Sequence, residues 1–128
     1  MDNLIIEAST SSPRVRLDAQ TGIAEFGGES YPENAFDFYE PISLWFRRFI
    51  AESSAALRLQ IRLSYLNTSS TKCLVDILDE LDEAYGKGRD VRVSWYCDRR
   101  NERAQESAQE FGEDIDMPFE VLLEEGAS

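Results

Sequence analysis

Between Leu57 and Tyr85 the hydrophobic period changes once, and that change limits the folds open to the chain. Leu57, Leu59, Ile61, Leu63 and Tyr65 alternate with Arg58, Gln60, Arg62 and Ser64, the pattern of a strand burying one face. After Asn67-Thr68-Ser69-Ser70, Leu74, Ile77, Leu78, Leu81 and Tyr85 recur at helical spacing, with Asp76, Asp79, Glu80 and Glu83 on the other side. A hydroxyl cluster therefore stands where a strand hands over to a helix. The first N–H groups of a helix have no partners within it, and the helix dipole favours negative charge there. The junction is suited to a phosphate.

The flanking chain repeats this grammar. Leu4 to Ala8 and Arg14 to Asp18 read as short strands, and Asp18 to Gly22 as a turn into a strand over Ile23 to Phe26. Gly27 to Asn34 is turn chemistry ending in a helix cap at Asn34, with Asp37 in the first turn. A helix of about four turns is predicted there, with Phe38, Ile42, Trp45, Phe46 and Phe49 on one face. Leu44 projects opposite that stripe, as an isolated exposed leucine or as part of a docking surface.

Gly86-Lys87-Gly88 stops the central helix. Val91, Val93, Trp95 and Cys97 form another half-buried strand, and a short peripheral helix begins within Asp98 to Glu102, with Ala104, Ala108 and Phe111 inward. Pro118 opens a last strand with Phe119, Val121 and Leu123 on one face, and the tail from about Glu124 is expected to be loose. The 128 residues support one domain. Strand–helix alternation in the latter half predicts an α/β domain, mixed in the α+β sense, whose sheet is parallel through crossovers after an antiparallel start. Helices should lie mainly on one face, leaving the other partly wet.

Net charge and missing residue types bound the function. A formal charge of −12, from 25 acidic against 13 basic side chains, disfavours nucleic acid and anionic membranes and points to protein partners. No run of about 18 apolar residues could span a bilayer and Met1-Asp2-Asn3 lacks a basic signal start, so a soluble cytoplasmic protein without membrane insertion is expected. Cys73 and Cys97 occupy apolar-patterned positions and read as buried free thiols. Histidine is absent, which removes the commonest general base and metal ligand. No metal-ligand spacing, Gly-rich phosphate loop or serine elbow occurs either. The sequence nominates no catalytic residue, metal or cofactor.

Three blocks, Ser30-Tyr31-Pro32-Glu33-Asn34, Tyr65-Leu66-Asn67-Thr68-Ser69-Ser70-Thr71-Lys72 and Asp98-Arg99-Arg100-Asn101-Glu102, resemble the SiaC family in residue content, order and separation. That family consists of small bacterial phosphoproteins with a STAS-like fold. The resemblance implies a partner-switching protein: a SiaB-like kinase phosphorylates the threonine matching Thr68, and a SiaA-like PP2C-type phosphatase removes the phosphate. The unphosphorylated form binds and activates a SiaD-like diguanylate cyclase, raising cyclic di-GMP and favouring biofilm or aggregation. Ordinary STAS antagonists commonly carry an acidic residue before the phosphorylated hydroxyl and a glycine shortly after, whereas here Asn67 precedes Thr68 and Ser69-Ser70 follow. Action as an anti-sigma-factor antagonist on a sigma-factor-sequestering kinase is the alternative.

Local chemistry leaves the site details open. Asn67, Thr68, Ser69 and Ser70 could be an ordinary helix cap, and Ser69, Ser70 and Thr71 are alternative phosphate acceptors. Lys72 could be a cation near the phosphate or partner, or a solvated lysine. Arg99 and Arg100, with Asn101 beside them, could meet the phosphate or partner acids, or satisfy nearby carboxylates.

Overall fold

A computed structural model describes residues 1–125. Three short strands open the chain: β1 (Leu4–Ile6), β2 (Arg14–Leu17) and β3 (Ile23–Ser30), paired antiparallel in sequence order. In the β2–β3 turn Asp18 Oδ1 accepts from the Gln20 and Thr21 N–H groups. Gly22 closes it at φ +74°, where an added Cβ would lie 2.0 Å from the Ala56 carbonyl oxygen; only glycine fits both constraints.

From β3 onward each strand is followed by a helix. Helix α1 (Ala35–Glu52) leads to β4 (Leu57–Leu66), α2 (Thr68–Gly86) to β5 (Val91–Asp98), and α3 (Glu102–Gly112) to β6 (Phe119–Glu124). Strands β3 to β6 pair in parallel, and the six-stranded sheet keeps strict chain order. Sequential order with crossovers of one hand carries every helix to the same face. The inward row Leu57, Leu59, Ile61 and Leu63 packs with Ile42, Phe46 and Phe49 of α1 and Leu74, Ile77 and Leu81 of α2 in one buried core. Phe111 of α3 stacks on Trp95 at 4.8 Å. The opposite sheet face bears Arg58, Arg62 and Arg92, with the Arg62 guanidinium 4.0 Å from the Tyr96 ring centroid.

Asn34 caps α1, its side chain accepting from the Asp37 N–H. The helix runs 18 residues, longer than the four turns expected, with Pro41 on its exposed side. Cys73 and Cys97 are buried free thiols, as the patterning implied.

Two departures lie side by side at the carboxyl ends of β3 and β4. Strand β3 continues through Gly27-Gly28-Glu29 to Ser30, where the sequence suggested a turn, and Tyr65 faces solvent rather than the core. Leu63 pairs with Gly28 but Tyr65 pairs with Glu29, so Ser64 is an extra residue in β4. Such a bulge reverses the alternation: Leu66 turns inward against the core and Tyr65 outward. Gly28, at φ +104°, supplies the matching backbone bend. At the far edge Leu123 is exposed, not inward. Glu124 ends β6 and its carbonyl accepts from the Arg99 N–H at 2.8 Å, so strand structure reaches the first residue of the stretch expected to be loose. The end of that stretch, residues 126–128, lies outside the described residues.

Candidate functional site

Parallel pairing of β3, β4 and β5 gathers at one edge of the sheet everything that follows their carboxyl ends. That edge collects the Tyr31–Asn34 segment, the start of α2 and the Asp98–Asn101 turn, the three polar blocks singled out in the sequence. In open α/β sheets this is the edge where partners and ligands are met. The Asn67 N–H donates to the Ser30 carbonyl at 2.9 Å, tying the first two blocks together, and the exposed rings of Tyr31 and Tyr65 meet edge-on with centroids 6.1 Å apart.

The hydroxyl cluster divides into separate roles. Asn67 is the cap: its Oδ1 accepts from the Ser70 N–H and its carbonyl from the Thr71 N–H, both at 2.9 Å. Thr68 is the first residue inside the helix, exposed, and among the described residues its hydroxyl has no hydrogen-bond partner. Ser69 is exposed and Thr71 half-buried. Ser70 is fully buried, at 0% exposure. The Ser30 hydroxyl donates to Ser70 Oγ at 2.9 Å. With that proton committed, Tyr39 O–H donates to Ser30 Oγ at 2.7 Å. Burial raises the Tyr39 phenol above its ordinary value, so the chain Tyr39 to Ser30 to Ser70 is uncharged at neutral pH. It pins the start of α2 to α1 and β3, and it withdraws Ser70 from the accessible hydroxyls.

Lys72 is exposed one turn beyond Thr68 on the same side of α2. Arg99 pairs with Glu125 at 3.0 Å and Arg100 with Asp98 at 3.3 Å, both arginines remaining exposed. Asn101 caps α3 by accepting from the Ala104 N–H at 3.0 Å, and with Thr71 it lines a groove between α2 and α3. Leu44 is 47% exposed and lies elsewhere, in a groove between α1 and α2. Thr68, Ser69, Lys72 and the Tyr31–Tyr65 pair thus share the sheet edge with Asn101 and the two arginines, while Leu44 belongs to the helical face. Reasoning on the sequence missed the buried Ser30–Tyr39–Ser70 chain and exposed Phe36. Phe36 stands eight residues before Leu44, about 80° from it around the helix, so only its place off the buried stripe could have marked it.

The class defined by this arrangement is a small α/β module that presents exposed, unengaged hydroxyls, Thr68 and Ser69, at a capped helix start. Among the described residues no cluster could hold a metal ion, and no helix is long and apolar enough to cross a membrane. The model for SiaC family regulatory phosphoproteins matches residues 6–124, and the chain belongs to that family. It is 45% identical over 121 residues to an uncharacterized protein of Pseudomonas aeruginosa strain UCBPP-PA14, covering 94% of this chain and 96% of the relative. Among solved structures, SiaC of Pseudomonas aeruginosa superposes with TM-score 0.92 at 41% identity, covering 97% of this chain and 100% of the other. A crystal structure of the diguanylate cyclase SiaD with its activator SiaC, from the same organism, contains a chain matched with TM-score 0.92 and 44% identity, over 94% of this chain and 99% of that one.

Proposed function

We propose that this chain is a phosphorylation-controlled partner switch: unphosphorylated, it binds and activates a diguanylate cyclase, and phosphate on Thr68 releases the cyclase. A SiaB-like kinase adds the phosphate and a SiaA-like PP2C-type phosphatase removes it, so the state of Thr68 sets cyclic di-GMP output and with it biofilm formation or aggregation. The catalysis belongs to the partners; this chain is a cytoplasmic regulator. The observation that carries the reading is the division of labour at the start of α2, where Asn67 caps, Ser70 anchors, and Thr68 with its neighbour Ser69 is left exposed and uncommitted; the resemblance selects Thr68 of the two. Membership in a family of regulatory phosphoproteins, with a relative solved as a cyclase activator, supports the same reading.

The physics of release follows from that geometry. A phosphothreonine brings about −1.5 to −2 charges and three strong acceptor oxygens. At Thr68 it meets the N–H groups of Thr68 and Ser69, which have no acceptors among the described residues, at the positive end of the helix dipole. That contact is worth roughly 0.3–1 kcal/mol when exposed and up to about 2 in partly buried geometry, so the fold tolerates the modification. An apolar or acidic partner surface pressed over Thr68 does not, because desolvation or like-charge contact costs several kcal/mol. At about 1.4 kcal/mol per tenfold, this is two or more decades of affinity. Phosphopeptide mapping after treatment with the kinase tests the acceptor. The phosphate should fall on Thr68 and vanish in Thr68→Ala; modification of Ser69 or Thr71 instead would overturn the assignment.

A further inference from the structure

The groove between α2 and α3 has a volume of about 480 Å³, within the range of sites that take small molecules, and the partner switch makes no use of it. Leu63 of β4 and Trp95 of β5 supply its buried floor, while Leu66, Val75 and Phe111 line its sides. Trp95 is 1% exposed, and its indole N–H has no acceptor among the described residues. The chain's other tryptophan, Trp45, donates to the Asp2 carbonyl at 3.0 Å. A buried indole N–H ordinarily finds a partner, and one left without costs free energy that an acceptor seated on the floor returns. The floor therefore asks its occupant for an oxygen or nitrogen acceptor.

The rim is polarised along α3. At the start of the helix Arg103 is exposed and makes no ion pair among the described residues, with Thr71 and Asn101 lining the same groove. Asn101 spends its Oδ1 on the helix cap, which leaves its amide N–H groups for an occupant. Glu110, the one carboxylate of the lining, stands seven residues beyond Arg103, about 10 Å along the helix. An anionic head is drawn to the start of α3, where the helix dipole also favours it, and is kept from the Glu110 end. Tyr65, Trp95 and Phe111 bring aromatic rings to the groove, the last two stacked at 4.8 Å, so a flat ring system suits the space better than a branched chain.

We infer that the α2–α3 groove binds a small aromatic carboxylate, with the carboxylate on Arg103 and Asn101 and a second oxygen accepting from the Trp95 indole N–H. Leu66 and Thr71, both in the lining, flank Asn67 to Ser70 in the chain. The occupant thus lies against the turn that presents Thr68.

Nuclear magnetic resonance titration of the nitrogen-15-labelled, unphosphorylated chain with 6-hydroxy-2-naphthoate tests the inference. The chain has two tryptophans and so two indole N–H signals, assigned with Trp45→Phe. The Trp95 signal should move with a Kd of about 1 mM or tighter, the affinity ordinary for a ligand of about 14 heavy atoms, while the Trp45 signal stays. 2-Naphthoate, which lacks the second oxygen, and 2-naphthol, which lacks the carboxylate, should each bind about fivefold or more weakly. Arg103→Gln, an exposed change that should leave circular dichroism unaltered, should weaken 6-hydroxy-2-naphthoate by about fivefold and leave 2-naphthol within about twofold. A Trp95 signal unmoved at about ten times that Kd, equal movement of both indole signals, or equal affinity for the three compounds would each overturn the inference. Loss of SiaD binding in Arg103→Gln, with none of the three compounds bound by the wild-type chain, would give the groove to a protein partner and overturn it as well.

Discussion

Replacing Ser70 by alanine should cost the fold far more than replacing Thr68, although the two stand two residues apart in one Ser/Thr run. Ser70→Ala strips the acceptor from the Ser30 hydroxyl in a site with no solvent access. A buried donor left unsatisfied costs about 1–3 kcal/mol. With an unfolding entropy of about 2.1 cal/mol/K per residue, 128 residues give about 0.27 kcal/mol/K, so the melting temperature should fall by roughly 4–11 °C. Thr68→Ala removes an exposed methyl and hydroxyl with no partner among the described residues, and should stay within about 0.5 kcal/mol, or about 2 °C. Differential scanning calorimetry, with urea unfolding as a second probe, reads both. A Ser30/Ser70 double-mutant cycle should show coupling of about 0.5–3 kcal/mol, since the two hydroxyls are in contact. Equal melting temperatures for Thr68→Ala and Ser70→Ala would refute the separation of anchor from acceptor.

Asn67→Ala removes the cap of α2 and should cost about 1 kcal/mol by chemical denaturation, with Asn67→Asp nearly neutral. Gly22→Ala should destabilise by more than about 2 kcal/mol, because it combines a positive φ with a backbone collision. The raised Tyr39 phenol stays protonated in the folded state after its unfolded counterpart, near 10.0, has ionised. Its contribution is therefore complete below pH 10.0 and is lost as pH rises through the higher folded value; urea midpoints measured across pH 9 to 11 should fall, less steeply in Tyr39→Phe. Thr68→Ala should bind the cyclase whether or not the kinase is present, and Thr68→Glu should bind more weakly, as read by pull-down and calorimetry.

The strands and helices were legible because one face of each is buried: the β4 alternation and the α2 stripe are written in Leu57 to Leu81. The bulge at Ser64 was not, since an extra residue leaves no mark in a pattern that continues as Leu63, Tyr65. That slip hid the outward turn of Tyr65; Ser30 keeps the inward parity of Ala24 and Phe26, and it was hidden because Gly27-Gly28 read as a turn that ended the strand. At the site, the sequence could place Asn67 to Ser70 at a helix start but could not assign cap, acceptor and anchor among four residues that all suit a cap. Backbone bonds and burial set Asn67 apart as the cap and Ser70 as the buried anchor, leaving Thr68 and Ser69 exposed. Arg99 and Arg100 were ambiguous for a related reason, their carboxylate partners Glu125 and Asp98 being set by the turn after β5 and the end of β6.

The most direct measurement is a titration of the cyclase with this chain unphosphorylated and stoichiometrically phosphorylated on Thr68, following binding and cyclic di-GMP production together. The account predicts tight binding with activation for the unphosphorylated chain and a Kd weaker by about a hundredfold or more for the phosphorylated one. Equal binding and activation by the two forms would contradict it.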